Sequence, residues 1–310
     1  MTQTAASPRS DLDRKIATLE SRFQGSLGLA ATNLGTGEQV LLHADQVFPT
    51  ASVIKVSVLL ELFAQAEEGR LKPDERLEMQ ASDMVGGSGV LRELLPGLQP
   101  TLTDLAMLMV VVSDNTATNM LIDRLGGCAV INHRVQDEYG FRSIALHNRV
   151  DFDRIGSDVR RFAEATPADL MRFMERLARE ELVGRNASRE MLRILGRQQY
   201  LDQVPRYVKV NPYARELNMQ PDVDAALKTG FFPGTRVDAG VLTLRGEVKI
   251  AYCAAAHASP DLTIAPESQP AIINGLLGKL LVEYWWPGPH PGAGTLPTAY
   301  AAAYGIQAGG

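Results

Sequence analysis

The sequence predicts an α/β fold, an antiparallel sheet flanked by helices with an all-α subdomain. Two observations carry this. Apolar strand-like runs with glycine turns lie at both ends of the chain, in residues 26–44 and again from DAALKTGFF to EVKIAYCAAA. Between them, from about residue 51 to 204, most segments show helical periodicity. Strands at both ends around a helical centre suggest one sheet completed by the two termini of the fold. The expected division is a disordered N-terminus over 1–10, an α/β part over 11–50 and 205–286, an all-α part over 51–204, and a flexible tail over 287–310.

The elements follow in order. Asp11–Phe23 has helical periodicity. SLGLAATNLGTGEQVLLHA (26–44) reads as two strands joined by a turn at Gly35 and Gly37. A helix opens near Ser52, and further helices are expected over Thr103–Val111, Thr116–Leu125, Pro167–Arg179 and Ser188–Gly196. Thr166 followed by Pro167 and Asp169 is a helix start with proline at its first position. Three strands then come in order, the last two joined by the turn Arg245–Gly246–Glu247. An amphipathic helix from about Pro270 to Trp286 precedes a tail rich in Pro, Gly and Ala.

Composition excludes several classes. The chain has 310 residues, 45% hydrophobic and 22% charged, ordinary for a globular protein. A net charge of -5 offers no field for nucleic acid or anionic lipid. No apolar run approaches the roughly 20 residues that cross a bilayer. Met1–Lys15 lacks the apolar core of a secretory signal, so the expected compartment is the cytoplasm, or the periplasm or exterior if an export signal lies outside the sequence given. Cys128 and Cys253 form no CxxC, and Cys253 reads as a buried thiol. The histidines show no metal-ligand spacing, so neither a metal nor another cofactor is expected.

The chemistry begins at PTASVIKVSVLL (49–60), where a lysine follows a serine by three places inside an apolar run. On a helix, i and i+3 share a face, so Ser52 Oγ and the Lys55 amine can meet. Ser52 could simply cap the helix while Lys55 reaches water. Alternatively, desolvation lowers the lysine's pKa and the neutral amine takes the serine proton. Two further motifs bear on the choice: Ser113, Asp114 and Asn115 between two helical segments, and Lys228, Thr229 and Gly230 in or at the end of a strand. Each alone has a plain structural explanation, as a capping turn and as an edge strand with a glycine bulge.

Together, in the order SxxK, SDN, KTG, they form a signature. The sequence resembles the penicillin-recognising serine hydrolases, and class A β-lactamases most closely. SDNTATN, EATPADL and GTRVDAGV extend the resemblance, which covers roughly residues 11–286. It implies the sheet-and-helix fold of serine β-lactamases and penicillin-binding transpeptidases. It also implies Ser52 as nucleophile, Lys55 as base or base-relay, and Ser113 as proton donor to the leaving nitrogen, with Lys228 setting the local field. The amides of Ser52 and Phe231 would form the oxyanion hole, and Asn115 would bind the substrate's amide side chain. Lys228, Thr229 and Arg236 would hold a substrate carboxylate, and Gly230 would let the ligand lie along the strand edge.

One departure bears on turnover. Class A enzymes carry an ExxLN glutamate that activates the deacylating water, and HNRVDFDRIGSDVRRFAEATP (147–167) contains no ExxLN. Its carboxylates are Asp151, Asp153 and Glu164. Asp153, deeper in the segment, is the preferred candidate base over Asp151, while Glu164 sits near the following helix cap. Three functions are therefore consistent with the residues. The first is a β-lactamase acting through an acyl-enzyme. The second is a D-alanyl peptidase or esterase with slow β-lactam turnover. The third is a penicillin-binding sensor that stays acylated. The partner in each is a small β-lactam or D-alanyl-type carboxylated molecule, not nucleic acid.

Overall fold

A computed structural model describes residues 7–208, 210–214, 216–287 and 303. The expectations for residues 1–6 and for 288–310 other than 303 lie outside the described residues. Helix α1 (Pro8–Arg22) starts three residues earlier than expected, because the Ser7 hydroxyl accepts from the Ser10 amide and Pro8 fits the first turn. Residues 8–10, expected to be disordered, are thus helical. Strands β1 (Ser26–Asn33) and β2 (Gln39–Leu42) form the expected hairpin, followed by the short β3 (Phe48–Pro49) and a 3₁₀ turn over Ala51–Ile54. The long apolar helix α2 (Lys55–Glu67) begins only at the lysine.

Helix α3 (Leu102–Val111) carries a reciprocal cap between Thr101 and Asp104, and α4 (Asn115–Arg124) is capped by Asp114. Next come α5 (Cys128–Asn132) running into a π-helical turn at His133–Glu138, β4 (Ala145–Leu146), the single turn α6 (Phe152–Ile155) and β5 (Ala163–Ala165). Sequence reading had passed over these pieces. Helix α7 (Pro167–Ala178) starts at the Thr166 cap, as expected, and α8 (Arg185–Leu195) follows. Strands β6 (Val223–Phe232), β7 (Thr235–Leu244) and β8 (Val248–His257) and helix α9 (Gln269–Trp285) complete the chain order.

The main sheet has the order β2-β1-β8-β7-β6 and is antiparallel throughout. A second, small sheet runs β3-β5-β4. Period-2 alternation divides the side chains of β8 between two cores. Ala251, Cys253 and Ala255 face the core shared with α2, α3, α4, α7 and α8. Ile250, Tyr252, Ala254 and Ala256 face the core closed by α1 and α9. Helix α7, although it lies within the helical middle of the chain, packs directly on β1, β7 and β8. Strand β6 is the edge strand nearest the 3₁₀ turn that carries Ser52. No described helix is long and apolar enough to cross a membrane.

Candidate active site

Gly230 explains how sheet and helices meet. A Cβ at this position would lie 2.5 Å from the Thr50 carbonyl oxygen and 2.9 Å from the Ser52 amide nitrogen, so only glycine lets β6 approach the turn this closely. Ser52 is half-buried on that turn, and Ala51 before it holds a left-handed φ of 44°. Ser52 is not a helix cap: Thr50 precedes the turn, no side chain caps it, and α2 starts three residues beyond Ser52.

Lys55 is fully buried at the start of α2. Its Nζ donates to the Ser113 carbonyl oxygen at 2.7 Å, to Asn115 Oδ1 at 2.8 Å and to Ser113 Oγ at 3.1 Å. None of these acceptors carries a formal charge. Desolvation therefore pushes the amine well below the usual lysine range, with Lys228 adding repulsion and Asp114 opposing it. Lys228, on β6 and also fully buried, donates to the Thr229 carbonyl oxygen at 2.7 Å and to Ser113 Oγ at 3.1 Å. Burial brings it down to about 7 against the pull of Asp238. The Ser113 hydroxyl oxygen thus lies between two depressed amines and accepts from both, leaving its own proton to be directed elsewhere.

The backbone that places Ser113 is strained, with φ at 56°, and several groups hold it there. Ser88 Oγ donates to the Ser113 carbonyl oxygen at 2.7 Å, and Asn115 Nδ2 donates to the Gly86 carbonyl oxygen at 2.9 Å. Asp114 Oδ1 accepts from the Ala117 amide, and its Oδ2 accepts from the amides of Val90 and Leu91 at 2.6 and 2.8 Å. Gly89, at φ 105°, permits that contact, since a Cβ there would fall 2.3 Å from the Asp114 carboxyl. The GGSG run over 86–89 was the available signal for this supporting loop, and sequence reading did not use it.

A cavity of 340 Å³ opens beside Ser52. It is lined by Ser52, Ser88 and Asn115, by Phe152, Ile155 and Phe162 from the 147–166 segment, and by Phe231, Phe232 and Ile264 opposite. Phe152 was not foreseen. The lining, among the described residues, includes no charged side chain.

Several expected site residues lie elsewhere. Asp151 caps α6 through the Asp153 and Arg154 amides and pairs with Arg154 at 3.3 Å. With Asp153, which is exposed, it lines a polar cleft beside Asn119 and Arg149 that shares Val150 and Phe152 with the cavity beside Ser52. Glu164 pairs with His147 at 3.3 Å. The Thr229 hydroxyl is buried and accepts from Gln203 Nε2. Arg236 is 1% exposed and donates to the carbonyl oxygens of Phe232, Thr235 and Thr263 at 2.8–3.0 Å, under the Phe231 ring. Its guanidinium is committed to the backbone because the β6–β7 turn and the 259–268 segment present three carbonyls to one fork of donors.

A sheet edge bearing a buried lysine against a serine-bearing helical turn describes a class of protein, and comparison gives its family. The profile of the beta-lactamase enzyme family matches residues 11–285, and the chain belongs to that family. Among curated relatives, the beta-lactamase OXY-2 of Klebsiella oxytoca is 34% identical over 117 residues, covering 37% of this chain and 40% of that protein. CTX-M-25 of Escherichia coli is 32% identical over 117 residues, covering 38% and 40%. The match thus spans about two fifths of the length of these relatives. Among solved structures, a beta-lactamase from Sphaerobacter thermophilus superposes with a TM-score of 0.78 at 26% identity, covering 90% of this chain and 98% of that one. PBP-A superposes with a TM-score of 0.76 at 26% identity, covering 92% and 99%. A PBP-A variant captured as an acyl-enzyme complex with penicillin G superposes at 0.77, with 26% identity and coverage of 89% and 96%.

Proposed function

We propose that the protein is a serine hydrolase that opens the β-lactam ring through an acyl-enzyme on Ser52. The observation that carries this is the Ser113 hydroxyl held 3.1 Å from both Lys55 Nζ and Lys228 Nζ, beside the turn that bears Ser52. Ser52 Oγ attacks the ring carbonyl and its proton passes to the neutral Lys55 amine. The C–N bond breaks, and the departing nitrogen takes a proton from Ser113, which is resupplied from the lysines. The amides of Ser52 and Phe231 stabilise the oxyanion. Water then cleaves the ester and restores Ser52. The similarity to an acyl-enzyme of PBP-A supports the first half of this sequence.

A second reading is favoured by one observation. Phe152 lines the cavity, whereas Asp151, Asp153 and Glu164 do not. A water beside the ester would have no carboxylate base among the described lining residues, so deacylation of a penicillin is slow. The physiological substrate is a D-alanyl peptide or ester whose acyl-enzyme water cleaves, with the Lys55 amine taking the water's proton and returning it to Ser52. Both readings require the acyl-enzyme. Intact-mass measurement after mixing with penicillin G should show one adduct per chain, persisting for minutes and mapping to the Ser52 peptide. Labelling that survives Ser52→Ala undiminished removes both readings, and an adduct too short-lived to detect removes the second.

A further inference from the structure

Ser88 is the one residue of the GGSG run that carries a side chain, and neither the three motifs nor the family membership assigns it a role. The run is fitted closely to the SDN turn. The Ser88 carbonyl oxygen accepts from the Asn115 amide at 3.0 Å, and a Cβ at Gly87 would lie 2.6 Å from Asn115 Nδ2. Ser88 Oγ is thereby set 2.7 Å from the Ser113 carbonyl oxygen and 3.4 Å from Asn115 Oδ1. These are the same two oxygens that accept from Lys55 Nζ, at 2.7 and 2.8 Å. A hydroxyl has one proton to give, and the shorter contact directs it to the Ser113 carbonyl.

The sharing bears on the charge of Lys55. A neutral amine has two protons, and the two oxygens accept both; an ammonium draws on the same oxygens more strongly. A carbonyl oxygen that already accepts from Ser88 offers the ammonium less. The hydroxyl proton also sits on the oxygen that Lys55 uses, so its partial positive charge opposes a full one on Nζ. Two charged groups act on Lys55 besides. Lys228, from β6, also opposes the ammonium, and Asp114, from the turn before α4, favours it. Asp114 is occupied by the amides of Val90, Leu91 and Ala117.

Resting on the acyl-enzyme reading above, we propose that Ser88 is a positioning residue for acylation. Its hydroxyl takes up part of the accepting capacity of the Ser113 carbonyl, and so keeps Lys55 as the neutral amine that receives the Ser52 proton. Ser88 acts on Lys55 through the shared oxygens and keeps its own proton throughout the reaction.

Acylation by penicillin G would be followed by stopped flow from about pH 4 to 9, with the adduct mapped to the Ser52 peptide. The acid limb of the rate constant reports loss of the Lys55 proton. Removing the competing donor favours the ammonium, so a higher pH is needed to clear it. In Ser88→Ala the limb should therefore move up by about half to one pH unit, the size of one neutral hydrogen bond. Ser88→Gly removes the same hydroxyl and should shift the limb likewise. A second step at about 7, from Lys228, should stay in place. That amine draws on the Ser113 hydroxyl and the Thr229 carbonyl, not on the oxygens that Ser88 shares. Ser88→Thr keeps a hydroxyl and should keep the wild-type limb. A limb that stays put in the alanine and glycine variants, with or without a uniform loss of rate, overturns the proposal. So does a limb displaced equally by threonine. Adduct formation that persists in Ser52→Ala would instead overturn the serine reading itself, so the two failures are distinguishable.

Discussion

Two buried amines share one hydroxyl at Ser113, and their depressed proton affinities make distinct statements. If Lys55 takes the Ser52 proton, Lys55→Arg replaces a neutral amine with a cation that cannot shed its proton near neutrality. Penicillin acylation measured by stopped flow should fall by about 10³-fold, with the far-ultraviolet circular dichroism unchanged. Lys228 affects stability. With its folded value at about 7 and its ordinary value at 10.5, the amine is neutral in the folded chain and charged in the unfolded chain across that interval. The unfolded state then binds more protons, so this contribution makes stability rise with pH above about 7. Cys253, raised from an ordinary 9.0 by burial, works the opposite way above that value. The usable window is therefore 7 to 9, where Lys55 adds a rise of the same sign and Lys228→Met should reduce, without abolishing, the rise in the urea midpoint that the native protein shows. Ser52, Lys55, Ser113 and Lys228 were legible in the sequence because their motifs are local and ordered along the chain. The fate of Arg236 was not, because its three carbonyl partners come from residues 232, 235 and 263 and no local pattern announces them.

Short elements decide what the cavity contains. Helix α6 is a single turn, and β3, β4 and β5 have two or three residues each, too few for periodicity to reveal. Yet α6 brings Phe152, still 43% exposed, to the rim of the cavity and leaves Asp151 as its own cap. The longer helices and the sheet strands were legible to within a few residues at their ends, since their apolar faces repeat. The 147–166 segment is fastened to α4 by Asn119 and by the ion pair between Arg149 and Asp123 at 2.9 Å. Asn119 Nδ2 donates to the Val150 carbonyl oxygen and Asn119 Oδ1 accepts from the Val150 amide, both at 2.8 Å and buried. Asn119→Ala leaves that peptide donor and acceptor unpaired and should cost about 2 kcal/mol in urea unfolding. Proteolysis should then cut first within 147–166, and acylation should slow as Phe152 and Ile155 lose their fixed positions. Unchanged protease resistance would show that the β3-β5-β4 sheet and the Arg149–Asp123 pair hold the segment without Asn119.

At the scale of the molecule, the arrangement of strands was the most legible feature and the layering of helices the least. Apolar runs at 26–44 and after residue 223 placed both ends in one sheet, and β1 does pair with β8 along its whole length, from Ser26 with His257 to Asn33 with Ile250. That α7 lies directly on this sheet was not legible, because its apolar stripe has the same appearance whether it faces strands or helices. The pairing of the first strand with the last has a consequence in time. Lys228 reaches Ser113 from β6, which is held through β7 to β8, so the proposed nucleophile at position 52 lacks its full surroundings until some two hundred later residues have been made. Contacts so distant along the chain form late in folding. During synthesis the growing polypeptide would carry an inert serine for most of its length. Covalent capture by a fluorescent penicillin would then mark, chain by chain, the moment at which the sheet closes.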